Sequence, residues 1–475
     1  MTVLHDPTPQ ARRPGRATPS GLFRAFWRWH FYASFLVVPI FAMLAATGLI
    51  YLFRFQLEPL LHADVMRVEA PADAAAVRAP LSLQEDAVQQ AYPTAEIGLV
   101  REGRDADDAT AFSIVRADGS GTDVYVDPWD AEVLGTLNPD TTLSGYAVRL
   151  HGDLMSGRWG DGLIEVASCW AIVMALTGYY LVVAGRKARL RRRAKKAAGA
   201  AMRHRHALVG AVAGVGILFM VVTGLPWTGF WGEKVQQIAT DRGSSMWSTD
   251  PGAVSDPASR LDESLPHSHS VQVPWGQGAS EVPSSTVPTE GDPASVATVD
   301  TAVAVAEEAG LEHPLSIVMP AGDDGVYSVM GDAFHDPSDE RTVHVDRYSG
   351  QIRADYGFDD YPALAKVVSQ GIGLHEGRSL GLLSFWGAAL FCLAVLFLCV
   401  TGPLMWWRRR PSRAGSLGAP RGRMPVRTTW WLAGGLVVLG VVLPLFGATL
   451  VAVLVLDLLV VRRVPRVRAA LDTVD

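Results

Sequence analysis

Cysteine is scarce in this sequence, which has only Cys169, Cys392 and Cys399 among its 475 residues. All three fall inside long apolar runs, so none belongs to a disulfide framework of the kind found in small secreted domains. No C-x-x-C-H sequence occurs, which excludes covalent attachment of haem through paired cysteines. Neither a G-x-G-x-x-G after a strand pattern nor a P-loop is present, so the chain has no motif for a nucleotide of its own. H-E-x-x-H and Ser-His-Asp patterns are missing too, and nothing indicates hydrolysis.

Acidic residues are absent from two basic segments. Residues 186–205 contain ten Lys or Arg, and residues 408–427 contain seven Arg. By contrast, residues 55–150 carry 17 acids against six bases, and residues 231–375 carry 23 against seven. Because Lys and Arg concentrate in loops that stay in the cytoplasm, we expect both basic segments and the N-terminus inside, and both acidic segments in the periplasm. The net charge of −6 averages two compartments and does not indicate nucleic-acid binding.

Long apolar runs are what the sequence has in abundance. Segments near 31–53, 163–184, 207–230 and 382–407 are each apolar over about 20 residues, the length that crosses a hydrocarbon core about 30 Å thick. We expect four spanning helices. The first is too long for a typical signal peptide and no cleavage site follows it, so we expect it to be retained. The apolar stretch 430–461 is interrupted at Pro444, which predicts a helical hairpin or, alternatively, one tilted or broken helix.

A histidine precedes a Thr-Gly pair at each of the four predicted spans, with two repeated spacings. The spacing is 17 residues in two cases, His30 to Thr47-Gly48 and His206 to Thr223-Gly224. It is 26 residues in the other two, His151 to Thr177-Gly178 and His375 to Thr401-Gly402. Such matched pairs indicate an internal duplication with copies at 30–186 and 206–408, and repeated membrane proteins often have a site between the copies. The Thr-Gly pairs themselves are expected to serve helix packing.

The two acidic segments repeat one pattern as well. Residues 81–137 and 298–355 each begin with a helical pattern and continue with short alternating strands, "DVYVD" in the first and "TVHVD" in the second. Each segment predicts a small antiparallel sheet covered by one helix. Residues 243–297 are rich in Ser, Pro, Gly and Asp and predict a linker. The expected fold is an α-helical polytopic membrane protein with internal duplication and two small periplasmic α+β modules.

These features predict the order of segments along the chain. It runs as a cytoplasmic N-terminal tail (1–26), a first span (27–54), a periplasmic module (55–150), a second span with its periplasmic start (151–185), a basic cytoplasmic loop (186–205), a third span (206–230), a periplasmic linker (231–297), a second module (298–374), a fourth span with its periplasmic start (375–407), a cytoplasmic loop (408–428), a C-terminal hairpin (429–461) and a cytoplasmic tail (462–475).

The strands "DVYVDPWDAEVLG" beside spans that start with His and end with Thr-Gly resemble the PepSY-associated transmembrane family. The resemblance covers roughly residues 25–410 and leaves the C-terminal hairpin outside. Iron-regulated bacterial members of that family include inner-membrane ferric-siderophore reductases. The resemblance implies a helical core with b-type haem, periplasmic PepSY modules (here, the two α+β modules), and electron flow from the cytoplasmic side to a periplasmic iron chelate.

The positions of the four histidines are compatible with that implication. His30 and His206 lie at the cytoplasmic level and are predicted to share one haem iron, while His151 and His375 lie at the periplasmic level and are predicted to share another. One or two non-covalent haems b are therefore expected. Arg149 and Arg378 flank the periplasmic pair, where guanidinium groups would pair with haem propionates. His204 is an alternative to His206, although the 17-residue spacing selects His206.

Other histidines give no such pattern. His267 and His269 lie in the predicted linker and are expected in solvent, and the remaining candidates have no zinc-site spacing: His62, His313, His335 and His344.

The expected function is a transmembrane haem-dependent ferric reductase in the bacterial inner membrane. Its expected partners are a ferric siderophore or other iron chelate, membrane lipid, and a quinol or soluble flavoprotein as electron donor, with no nucleic acid. Two alternatives remain open at this point: a non-enzymatic PepSY protein that binds or regulates a periplasmic protein, and a metal or haem carrier.

Overall fold

The computed structural model describes residues 21–73, 75–242, 277, 282–288, 296–331, 336–409, 417 and 426–471. Several predicted features lie outside these residues: most of the N-terminal tail, most of the 243–297 linker with His267 and His269, His335, and most of the 408–428 loop.

Helices account for most of the described chain. They are α1 (Gly21–Leu52), α2 (Arg54–Leu61), α3 (Ala63–Met66), α4 (Leu81–Ala91), α5 (Leu143–Asp153), α6 (Arg158–Ala184), α7 (Arg186–Ala194), α8 (Ala200–Gly224), α9 (Trp231–Asp241), α10 (Val299–Glu308), α11 (Ala363–Glu376), α12 (Leu382–Trp407), α13 (Val426–Val442), α14 (Pro444–Leu456) and α15 (Pro465–Ala470).

Five of the described helical segments are long and apolar enough to cross a membrane, which makes this a multi-pass membrane protein. They are Gly21–Leu52, Arg158–Ala184, Ala200–Trp227, Leu382–Trp407 and Pro444–Val461. The first four match the spans predicted from hydropathy. In the C-terminal segment the chain bends sharply at Leu443. The bend brings Gly440 close to Gly447, because a Cβ on Gly440 would lie 3.1 Å from the Cα of Gly447. The apolar stretch is therefore two helices rather than one straight helix.

His151 and His375 do not begin the spanning helices, which differs from the predicted segment boundaries. His151 lies in the last turn of α5, and His375 in the last turn of α11. A left-handed residue ends each of these helices, Leu154 at φ 55° and Gly377 at φ 78°. Such a residue reverses the chain after a helix. Each histidine is thus held on a short helix before its span.

The basic segment predicted as a loop at 186–205 is largely helical. Helix α7 covers Arg186–Ala194, and α8 already begins at Ala200. Lys and Arg are good helix formers, and no proline interrupts this segment.

All strands of the described chain form one eight-stranded sheet, which corrects the prediction of two small separate sheets. The strands are β1 (Glu96–Arg101), β2 (Thr110–Val115), β3 (Gly121–Val126), β4 (Val133–Leu137), β5 (Ser316–Val318), β6 (Val326–Met330), β7 (Arg341–Asp346) and β8 (Ile352–Gly357). Their order in the sheet is β4-β3-β2-β1-β5-β6-β7-β8.

The pairing of β1 with β5 joins the two sequence segments that carry the strands. This pairing is antiparallel, with Val100 opposite Ile317 and Arg101 opposite Ser316. Either four-stranded half alone would leave that edge unpaired, and an unpaired edge is prone to aggregate. The pairing removes both edges at once.

A shared hydrophobic core lies between the sheet and the helices α4 and α10. Helix α4 packs on β3 and β4, α10 packs on β6 and β7, and the two helices contact each other. The core includes Val100, Phe112, Ile317 and Val343 from the sheet. Residues on the other face, such as Ser113 and Ser328, are buried as well. Both faces of the central strands are covered, so the expected alternation of buried and exposed residues is weak.

Two compact units divide the chain. The first unit comprises Met1–Phe35, Val173–Gly214 and Gly402–Asp475, and the second comprises Leu36–Ile172 and Val215–Thr401. The sheet and the pair His151 and His375 belong to the second unit, whereas His30 and His206 belong to the first.

Candidate cofactor site

In the second unit, His151 lies against the Thr-Gly pair of helix α1. Its Nδ1 is 2.9 Å from the Thr47 hydroxyl oxygen and also forms a hydrogen bond with the Leu44 carbonyl. Thr47 donates its own hydroxyl hydrogen to the Met43 carbonyl at 2.9 Å. Gly48 gives the ring its room, since a Cβ there would be 3.5 Å from His151 Cε1. The Thr47-Gly48 pair, which follows His30 along the chain, therefore contacts a different histidine, His151.

His375 repeats this arrangement in the same unit. Its Nδ1 is 2.9 Å from the Thr223 hydroxyl oxygen, and Thr223 bonds back to the Phe219 carbonyl at 3.0 Å. A Cβ on Gly224 would be 3.2 Å from His375 Cε1. The indole of Trp227 stacks on the imidazole, with ring centres 6.2 Å apart and planes 27° apart. The ring is therefore fixed from several sides.

The hydrogen bonds of both rings define the tautomer. A carbonyl can only accept, and each threonine uses its hydrogen on a carbonyl one turn back, so Nδ1 must be the donor. A neutral imidazole protonated at Nδ1 has its lone pair on Nε2. Metal-bound histidines commonly donate their other ring N–H to a carbonyl in this way, which orients the ring and increases its basicity.

The two rings lie at a separation that suits one metal ion. The centres of the His151 and His375 rings are 6.4 Å apart, and their planes make an angle of 87°. With about 2 Å from metal to nitrogen and about 1 Å from nitrogen to ring centre, two axial imidazoles would have centres about 6 Å apart. The donor set, two neutral imidazoles, would be able to hold a haem iron.

In the first unit, His30 lies against the Thr-Gly pair of helix α6. Its Nδ1 is 2.9 Å from the Met174 carbonyl and 3.4 Å from the Thr177 hydroxyl. Thr177 donates to the Val173 carbonyl at 2.8 Å. A Cβ on Gly178 would be 3.2 Å from His30 Cε1. The same construction therefore occurs a third time, on a different set of residues.

His206 lies near the fourth glycine of the pattern. A Cβ on Gly402 would be 3.9 Å from His206 Cε1, and the His206 imidazole is within electrostatic reach of His30. His204, the alternative ligand, is buried instead among basic residues and its Nδ1 has no partner in the described chain. The structure thus associates His206 with a Thr-Gly glycine and His204 with a different environment.

Arg378 lies three residues after His375 and is bonded to two carboxylates. Its Nε is 2.8 Å from Glu376, and one terminal nitrogen is 3.1 Å from the buried Glu340. Burial lowers the pKa of the guanidinium, but the charges of Glu376 and Glu340 outweigh it, and the pKa is raised. Glu340 also accepts from Tyr361 and Ser369. This network links the start of β7 to the helix that carries His375, so Arg378 has a positioning role besides any contact with a propionate.

Arg149 is half-buried on helix α5, two residues before His151. Its guanidinium approaches the Asp140 carbonyl at 3.5 Å. Its role toward a propionate stays a prediction.

Sequence reasoning missed a carboxylate inside the second span. Glu165 is completely buried, and its Oε1 has no hydrogen-bond partner among the described residues. Its Oε2 accepts the Trp231 N–H at 3.2 Å, and Asp161, one turn earlier, accepts the Gly229 N–H at 2.9 Å. An ionisable residue within an apolar run is itself a sign of function. That signal was present in the letters "GLIEVASCW".

The histidines outside the spans have local partners. His62 is 3.5 Å from Glu58, His344 bonds to Ser328 at 2.8 Å, and His313 bridges two glutamates. The described part of the chain contains no cluster of three or more His, Cys, Asp or Glu able to hold a metal ion. A haem iron with two axial histidines needs no such cluster.

Comparison with known families places this geometry in context. Residues 27–409 match the family described as "PepSY-associated TM region", and the chain belongs to that family. The match begins within the first spanning helix, ends just after the fourth and leaves the C-terminal helices outside. No curated protein matches the chain.

Proposed function

We propose that this protein is a haem-containing inner-membrane reductase that passes electrons outward to a periplasmic ferric chelate. The observation that carries the proposal is the arrangement of His151 and His375. Both rings donate through Nδ1 to threonine-bearing spans, and their centres are 6.4 Å apart. A plain structural histidine has no need for a neighbouring histidine with the same construction.

The proposal includes an internal duplication. His30 with Thr177-Gly178 and His206 with Gly402 supply the second pair, and the sequence assigns it to the opposite membrane level. The repeated spacings and the like strand plans on either side of the β1–β5 pairing support descent from one ancestral unit. The acidic sheet-bearing segments would then be periplasmic, and the N-terminus and basic helix α7 cytoplasmic.

Bound haem would supply one-electron chemistry that no side chain of this protein provides. The chain's own part is to hold each imidazole in the Nδ1–H tautomer, to keep Nε2 available, and to exclude water from the ring faces. The apolar helices that surround the four partly buried imidazoles would serve the last purpose. Reduction adds one electron to a ferric chelate, and the ferrous ion is held weakly by hard-oxygen ligands and is released. A quinol or a reduced soluble flavoprotein would be the electron source.

The deciding experiment is spectroscopic. The protein purified from haem-replete cells should show a b-type absorption spectrum, oxidised and dithionite-reduced, and a pyridine haemochrome assay should give about two haems per chain. His151→Ala or His375→Ala should remove one haem, and His30→Ala or His206→Ala the other. His62→Ala is the matched control and should remove none.

Two results would contradict the proposal. A colourless protein would favour a non-enzymatic PepSY protein that binds a periplasmic partner. A haem protein that moves haem into liposomes without any electron donor would favour a carrier. We expect the reduced protein to reduce a ferric chelate. The absorption spectrum of its ferrous haem should be lost at the same rate.

A further inference from the structure

The first unit contains a group of cationic side chains without matching acids. Residues 173–214 include no Asp or Glu. Asp457 is the one acid among the described residues of this unit, and it pairs with Arg462 at 2.8 Å. Among the residues that the structure describes in this unit, no other carboxylate is available to neutralise the basic charges on α7 and at the start of α8.

Two buried nitrogens in this group lack partners. His204 is 8% exposed, and its Nδ1 has no hydrogen-bond partner among the described residues. The same holds for Nε of Arg189, whose Nη1 is fixed on the Val182 carbonyl at 3.1 Å. Buried polar groups in proteins are nearly always bonded, and two unbonded buried nitrogens, one of them a guanidinium N–H donor, indicate a missing partner.

The cations lie close enough to act on one another. His204 is within electrostatic reach of Arg189 and Arg193, and Arg203 is within reach of Arg192. Burial, and then the charge of Arg186, lowers the pKa of Arg189. Burial, and then the charge of Arg203, lowers the pKa of Arg409. Repulsion of this kind is relieved when an anion binds.

We propose that Arg189, Arg203 and His204 form a binding site for a phosphate-bearing anion, the headgroup of an anionic phospholipid. Phosphate oxygens accept several charge-assisted hydrogen bonds, and guanidinium forks match them well. Arg203 is already aimed by its bond to the Ala198 carbonyl at 3.2 Å. Basic sites at the cytoplasmic ends of spans are where anionic headgroups bind. This inference uses no haem and rests on the proposed function only for the cytoplasmic position of α7.

The test compares lipid binding by full-length protein in nanodiscs. Native mass spectrometry would count phospholipids retained in phosphatidylcholine with and without phosphatidylglycerol. We expect selective retention of phosphatidylglycerol, about tenfold weaker in Arg189→Gln/Arg203→Gln. Arg462→Gln/Arg463→Gln removes the same charge from the same unit and should retain the lipid. If the double variant does not fold, Arg189→Lys can be used, because it keeps the charge and loses the Nε donor. It should show a smaller decrease in the retention of phosphatidylglycerol.

A soluble source of phosphate is tested in parallel by titrating inorganic pyrophosphate into protein in phosphatidylcholine nanodiscs. Binding of pyrophosphate that depends on Arg189 and Arg203 would keep the site but assign it a soluble phosphate ligand. Equal retention by the cluster variant and its control would overturn the proposal. So would loss of haem from the cluster variant with unchanged lipid binding, because a carboxylate cofactor would then occupy the arginines.

Discussion

The imidazole rings of His151 and His375 lie 6.4 Å apart, centre to centre, with their planes nearly perpendicular. The two residues are separated by more than two hundred positions in the chain and sit at the ends of different short helices. Each ring is oriented by a threonine on a different spanning helix. The relative position of the two rings therefore depends on four helices together, and the contribution of each supporting residue can be tested separately.

The threonine hydroxyls should tune the iron rather than simply hold the ring. Thr47→Val removes an acceptor from His151 Nδ1, which makes the imidazole a weaker donor and favours the reduced state. We expect the midpoint potential of one haem to rise, by about 40 mV if the hydrogen bond contributes about 1 kcal/mol. Thr47→Ser should restore the wild-type value. Thr449→Val, at another back-bonded span threonine, should leave both potentials unchanged.

Alanine at the four glycines should have graded effects. A Cβ would lie 3.2 Å from the imidazole at Gly178 and Gly224, 3.5 Å at Gly48 and 3.9 Å at Gly402. We expect Gly178→Ala and Gly224→Ala to displace the ring and lower haem content, and Gly402→Ala to retain it. Helix propensity favours alanine by up to about 1 kcal/mol at every site, so a uniform gain in thermal stability with unchanged spectra would contradict this expectation.

A disulfide should report the pairing of β1 with β5. Leu99 is opposite Val318 in the register, and opposite residues in antiparallel strands have Cβ atoms about 5 Å apart. Oxidation of Leu99→Cys/Val318→Cys should form an intramolecular disulfide, measured by a mobility shift after blocking free thiols. Leu99→Cys/Ile317→Cys is the matched control, because adjacent positions point to opposite faces of a sheet. Two independent sheets would give no cross-link in either variant.

His313 should stabilise the sheet at lower pH. Its ring lies 2.6 Å from Glu102, which follows β1, and 2.6 Å from Glu307 on α10. Burial lowers the pKa of His313, but these two carboxylates outweigh it and the pKa is raised. The stabilisation is complete below the ordinary histidine value and is lost as pH rises through the raised value. The thermal midpoint of wild type minus that of His313→Gln should therefore decrease as the pH rises above the ordinary histidine value of about 6.5.

His344 should have the opposite pH dependence. Burial lowers its pKa to about 4, although the charge of Asp355 opposes the effect. The unfolded chain binds the proton more readily than the folded one, so stability is lost as pH falls from about 6.5 toward 4. His344→Gln should flatten that part of the curve, with a difference of several degrees in thermal midpoint. An unchanged curve would mean that His344 is protonated in the folded protein.

Much of the architecture followed from local pattern. The four long spans, the strands "DVYVD" and "TVHVD", and the helices before them were predictable because hydropathy and side-chain periodicity act over a few residues. The membrane orientation that charge asymmetry predicts stays a prediction. The bend at Leu443 was predictable in part, because Pro444 interrupts the apolar run.

What sequence alone determined is the set of parts: four histidines, four Thr-Gly pairs and their spacings. Tertiary structure decided which part contacts which. His30 lies against Thr177-Gly178 of α6 rather than the pair 17 residues along its own helix, and His151 lies against Thr47-Gly48 of α1. It also joined β1 to β5 in one sheet. Residues 17 apart on one helix are held at a fixed distance, so they cannot meet; contacts of this kind form only when separate helices pack side by side.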